Sequence, residues 1–170
     1  MRDHSYALQV RWTGNTGEGT KNYCSYARDY LIQAEGKAAV EGSSDPAFRG
    51  DTRRYNPEEL MVASLSSCHM LWYLHLCAVN GVVVLGYEDA ASGTLQETDS
   101  GSGSFAKVEL HPKVTIASSS DAAKAGALHE EAHKNCFIAN SVNFSVQITP
   151  CIVKLPIHDS GEEMAKQSIH

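Results

Sequence analysis

The rhythm of apolar and polar positions changes at residue 56. From Leu60 to Val79 the chain is apolar or small almost throughout, a run too long for a strand. Its entry carries helix-start signals. Asn56 suits the N-cap, Pro57 the first helical position, and Glu59, three residues after the cap, is placed to close a capping box. Asn80-Gly81 is the stop. A helix of about 23 residues is ~35 Å long, roughly the diameter of a small domain. It is therefore expected to be central and buried on most faces.

Ahead of it, residues 6–12 alternate like a half-buried strand and residues 13–19 make a turn. Further strands are expected over residues 22–27 and 30–34, giving an antiparallel meander. Residues 35–55 are rich in Gly, Ser, Asp and Pro and read as a long connection, of the kind that serves a function or packs on a partner. Past Gly81, strands are expected at residues 82–88 and 90–98, with a flexible turn at 99–104. Residues 105–116 alternate as one strand in which Pro112 marks an edge or bulge. A second helix, capped by Ser120 or Asp121, runs to about Asn135, and residues 142–155 supply the last strand. The glycine- and serine-rich loops are too short to separate domains, so residues 1–170 are expected to form one domain, with residues 156–170 a loose polar tail.

Composition narrows the classes. The apolar fraction of 42% and charged fraction of 20% are those of an ordinary globular protein. A net charge of −6 argues against a nucleic-acid-binding face. The N-terminus has no apolar run of the signal-peptide kind, and Glu58, Glu59, His69 and His75 make the long helix a poor membrane span. The expectation is a cytoplasmic protein with neither nucleic acid nor membrane as partner. Cys24, Cys68, Cys77, Cys136 and Cys151 are odd in number, widely spaced and without a CxxC pair, which suits a reducing compartment.

Two of these thiols stand out. Cys68 lies about three turns into the long helix, where the helix dipole gives little help. As a thiolate it needs a cation to lower its pKa from a free value near ~8.5. Arg28, Arg49, Arg53 and Arg54 are the candidates, and the sequence leaves the choice open. Cys136 follows the second helix directly, at a junction where it could meet Cys68 in a reversible disulfide. Cys24, Cys77 and Cys151 read as structural or incidental. A zinc site of Cys68, His69, His133 and Cys136 is the competing idea, but adjacent helical side chains diverge by about 100°, so no metal is expected. His75 and His129 read as ordinary helix residues. Met61, Trp72 and Phe137 suggest the walls of an apolar pocket.

The block Asn56-Pro57-Glu58-Glu59-Leu60, with Cys68 ten residues after Glu58, and the later Cys136-Phe137-Ile138-Ala139-Asn140-Ser141 resemble the two signature segments of the OsmC/Ohr family. Val10-Arg11-Trp12-Thr13-Gly14 is similar to the family's N-terminal strand, and the likeness spans residues 6–154. Phe-Ile after Cys136, where Ohr members have Pro-Tyr, places it nearer the OsmC-like branch.

The resemblance implies an α+β fold, with two antiparallel sheets, a long central helix and an intertwined homodimer with active sites at the interface. It implies a cysteine-based peroxidase of the oxidative stress response that reduces organic hydroperoxides to alcohols. Carried over by position, Cys68 attacks the peroxide and Cys136 resolves the sulfenic acid as a disulfide, while Glu58 holds an activating arginine. That arginine is Arg49 by the OsmC-like pattern and Arg28 by the Ohr pattern. No cofactor is implied, only an external dithiol reductant, a lipoyl-bearing protein in some members. The alternative within the same family is a dimeric redox sensor or small-ligand binder without significant turnover.

Overall fold

Asn56 and Glu59 start the long helix as their spacing predicts. The Glu59 N–H donates to Asn56 Oδ1 at 2.7 Å, and the Asn56 N–H donates to Glu59 Oε2 at 3.0 Å. The resulting helix, α1, spans Pro57–Val79. It ends where Gly81 takes a φ of 73° and the Val82 N–H turns back to the Cys77 carbonyl at 2.9 Å. The computed structural model describes residues 2–155, so the tail expected at 156–170 lies outside the described residues. The chain divides into two compact units, Met1–Met61 and Val62–His170, and α1 runs from the first into the second.

In the first unit, β1 (Gln9–Trp12), β2 (Tyr30–Gln33) and β3 (Val40–Gly42) form an antiparallel sheet in that order. A Cβ on Gly42 would fall 2.2 Å from the Tyr30 ring, so glycine is what lets that ring lie across β3. The strand expected over residues 22–27 is not formed. Asn22 accepts the Cys24 N–H at 2.8 Å, Asn15 accepts from Gly17 and Gly19, and Tyr26 makes only an isolated bridge to Asn15. Local side-chain bonds to the backbone have outcompeted a ladder here. The connection over residues 35–55 is also more ordered than its composition suggests. It holds β3 and a 3-10 turn at Pro46–Phe48, which Asp45 caps by accepting the Ala47 N–H at 2.7 Å.

The second unit contains β4 (Val84–Asp89), β5 (Ser92–Glu97), β6 (Gly103–Leu110), β7 (Pro112–Ala117), α2 (Ala122–Asn135), β8 (Ser145–Ile148) and β9 (Cys151–Leu155). Two strands expected from alternation are each two strands. Residues 105–116 break at His111, whose N–H leaves the ladder for Asp89 Oδ1 at 2.7 Å, and Pro112 then opens β7, a position that tolerates its missing N–H. Residues 142–155 break between Ile148 and Cys151, at Thr149-Pro150. Both breaks carry the chain from the sheet β5-β6-β8 into the sheet β4-β7-β9. After the α2 crossover, β8 returns parallel to β6 and β9 parallel to β7. The described residues thus hold three three-stranded sheets, two of them mixed, rather than two antiparallel ones.

Asp121 caps α2 by accepting N–H bonds from Ala123 and Lys124. One core cluster gathers Tyr73, Cys77, Val82, Val114, Ile116, Ala125 and Ala132, and another gathers Leu65, Val108 and Leu110. Only Leu65, His69, Tyr73 and Cys77 of α1 are buried, a single stripe at every fourth position. This corrects the expectation of a helix buried on most faces, since Leu71 is 62% and Val79 65% exposed. By length and composition alone α1 could cross a membrane, with a mean hydropathy of 1.3, but its polar buried residue His69 is spent on a contact with α2.

Candidate active site

Cys68 sits between Leu65 and His69 of the buried stripe and is half-buried. Cys136 ends α2. Its ψ of 109° breaks the helix, its N–H reaches the His133 carbonyl at 3.2 Å, and its side chain is 1% exposed. The segment after it is tied to the helix end. Ala139 N–H donates to Cys136 Sγ at 3.4 Å, the Asn140 amide to the Lys134 carbonyl at 2.9 Å, and the Ser141 hydroxyl to the Phe137 carbonyl at 2.7 Å. The cysteine and the asparagine-serine pair of this segment therefore build one rigid turn. That turn holds the Cys136 sulfur beside α1.

Cys68 is near enough to Cys136 to act on its titration. Burial first, and then the neighbouring Cys68 side chain, push the Cys136 thiol up to about 11, and all five cysteines are free. Cys136 is thus held protonated, and Cys68 is the sulfur that solvent reaches. Trp72, one turn after Cys68, packs edge-to-face on Phe137 with ring centroids 5.6 Å apart. Phe137 remains 65% exposed. These four residues belong to the second unit.

The other expected site residues belong to the first unit. Arg28 donates to the carbonyls of Tyr26 at 2.6 Å and Tyr23 at 2.8 Å, and its guanidinium lies over both rings, at 4.1 Å and 4.4 Å. Arg49 follows the 3-10 turn in a left-handed conformation, φ 67°, with its guanidinium 5.9 Å from the Tyr23 ring. Arg53 pairs with Asp51, while Arg54 faces Asp29, Glu41 and Asp51. The Arg53 side chain, then its backbone N–H, hold the Asp51 carboxyl at about 2. Glu58 forms no ion pair among the described residues; its charge adds to burial in raising the Tyr30 phenol. Met61 is 39% exposed.

The sequence reading passed over one constellation. His69 Nε2 and His129 Nδ1 stand 3.0 Å apart, 1% and 3% exposed, and the Tyr73 ring stacks on His129 at 3.8 Å. Burial first, then the charge of His133, lowers His69 to about 4; burial, then His69, lowers His129 to about 3. His129 is therefore a neutral buried partner and not an ordinary helix residue. The signal was its place in the small-residue stripe between Ala125 and Ala132, where a polar ring needs a mate. The zinc reading that joined His69 and His133 to the two thiols finds no support in the geometry. Among the described residues, no three His, Cys, Asp or Glu side chains gather to hold a metal.

A half-buried thiol neighbouring a buried one, beside an aromatic wall, can exchange two electrons with a small apolar oxidant. Comparison with known proteins places the chain in a family. No curated protein matches the chain. An OsmC-like protein of unknown function from Vibrio cholerae is 34% identical, covering 88% of this chain and 99% of its own, with a TM-score of 0.77. An organic hydroperoxide resistance protein from Legionella pneumophila shares the fold at 17% identity and a TM-score of 0.62, covering 89% of this chain and 99% of its own. One from Bacillus subtilis shares it at 18% and 0.56, covering 88% and 98%. The model of the OsmC-like protein family matches residues 50–150, more than half of the length, and the chain belongs to that family.

Proposed function

We propose that this protein is a thiol-dependent organic hydroperoxide reductase. The observation that carries the reading is the pairing of a half-buried Cys68 with a neighbouring buried Cys136, whose thiol burial and Cys68 push up. The Cys68 thiolate attacks one peroxide oxygen, the O–O bond breaks, and the leaving alkoxide takes a proton to become the alcohol. Cys68 is left as a sulfenic acid. The Cys136 sulfur, giving up its proton, attacks that sulfur and expels water, forming a disulfide. A dithiol reductant, such as a lipoyl-bearing protein, returns the pair to two thiols. Activation of Cys68 is assigned to Arg49, with Arg28 the second candidate, and Glu58 orients the arginine. Met61, Trp72 and Phe137 wall the substrate's apolar body.

Two further features support the reading. Five free thiols suit a reducing, cytoplasmic setting. The apolar residues left open on α1, Leu71 and Val79 among them, suit burial by a second copy of the chain in a homodimer.

The test is stopped-flow oxidation of the reduced protein by cumene hydroperoxide and by hydrogen peroxide, with disulfide mapping and a turnover assay with a dithiol. Rapid consumption of the organic peroxide, a Cys68–Cys136 bridge and sustained turnover are expected. Slow reaction with both peroxides, or a bridge without turnover, overturns the enzyme and leaves a sensor or binder. Light scattering tests the dimer, and a monomer at micromolar concentration refutes it.

A further inference from the structure

We propose that His129 and His133 form a site for a borderline divalent metal ion of the zinc or nickel class, in the groove between α2 and the β8 edge. α2 carries His129-Glu130-Glu131-Ala132-His133, two imidazoles at i and i+4 on one helix face. Both line a groove of about 450 Å³ whose far side is Val146, Ile148 and Pro150. Gly126, one turn before Glu130, leaves the groove open, since a Cβ there would meet nothing within 4 Å.

The state of His129 points to a ligand. The ring is 3% exposed, its Nδ1 is held by His69, and its Nε2 has no hydrogen-bond partner. A buried nitrogen left unmatched is costly, and a metal ion at that nitrogen would relieve the cost. When the His129 Nδ1–H donates to His69 Nε2, the free lone pair sits on His129 Nε2. This is the outer-sphere arrangement that orients metal-binding imidazoles. His133, half-buried one turn on, supplies the second imidazole. Glu130 adds a negative charge at the rim, and Lys134 opposes it there.

Two imidazole nitrogen donors favour zinc, nickel or copper over magnesium or calcium. Among the described residues no third His, Cys, Asp or Glu completes a cluster. The site is therefore open, with water filling its remaining positions. It shares no residue with the peroxide chemistry proposed above, so either can fail alone.

The experiment is calorimetric titration of the full, reduced chain with Zn2+, with Co2+ as a spectroscopic probe. One ion per chain is expected. His133→Ala and His129→Gln should each weaken binding roughly tenfold or more, and His69→Leu should weaken it through the lost orientation of His129. The cobalt form should show ligand-field bands without a thiolate-to-cobalt band. His133 is half-buried near the end of α2, so His133→Ala decides the matter even if the His129 variant does not fold. No binding, unchanged affinity in His133→Ala, or a thiolate-to-cobalt band overturns the site.

Discussion

His69 Nε2 and His129 Nδ1 meet at 3.0 Å in the core of the second unit, joining α1 one residue after Cys68 to the helix that ends in Cys136. A neutral pair of this kind holds two helices in one register because either ring alone would be a stranded polar group. His69→Ala should therefore destabilise the chelator-treated protein by about 1–3 kcal/mol beyond the cavity it opens. In a double-mutant cycle with His129→Ala, urea denaturation should show a coupling of at least about 1 kcal/mol. Additive losses would mean the contact contributes nothing.

Cys68→Ser should remove peroxide consumption by orders of magnitude, since the nucleophile is gone. Cys24→Ser changes an exposed thiol and Cys77→Ser a buried one, outside the Cys68–Cys136 pair, and both should keep wild-type turnover. Equal activity in all three variants would sink the assignment. In Cys136→Ser the first oxidation should remain fast and a sulfenic acid should accumulate, detectable by a trapping reagent.

The pH behaviour of Cys136 has a definite sign. Its folded pKa, about 11, lies above the ordinary thiol value of 9.0, so in that interval the unfolded chain releases the proton first. The contribution of Cys136 to stability is full below pH 9 and is lost as pH rises toward about 11. Wild type should lose stability more steeply than Cys136→Ala across this window. Disulfide closure after the first oxidation should accelerate with pH over the same range, because the attacking sulfur must be a thiolate. A pH-independent closure rate would show that the thiol is not held protonated.

Asp89 joins three parts of the second unit: it accepts the His111 N–H at the strand break and the Ser66 hydroxyl from α1. Asp89→Ala should cost about 1–3 kcal/mol in chemical denaturation, with loss of hydrogen-exchange protection at His111. Unchanged protection there would show that water replaces the carboxylate.

The parts legible in the sequence are those set by neighbours along the chain. The N-cap Asn56 and its partner Glu59 are three residues apart, so both ends of that interaction can be read directly, and α1 begins and ends where they and Gly81 say. The cap of α2 at Asp121 is local in the same way, and the two signature segments placed Cys68 and Cys136 in their family. Alternation, by contrast, could not show that residues 105–116 and 142–155 each change sheets, because apolar period continues across the break while the bond that makes it, His111 to Asp89, spans 22 residues. Residues 22–27 failed as a strand because Asn15 and Asn22 offered the backbone closer partners.

What the sequence alone determined is the long helix, the two cysteines worth watching and the family they belong to, all of them local patterns. Tertiary structure decided which face of α1 is buried, that burial pushes the Cys136 thiol up, and that His129 pairs with His69. Burial and pairing between residues 60 or more apart are properties of packed elements, and no period along the chain encodes them.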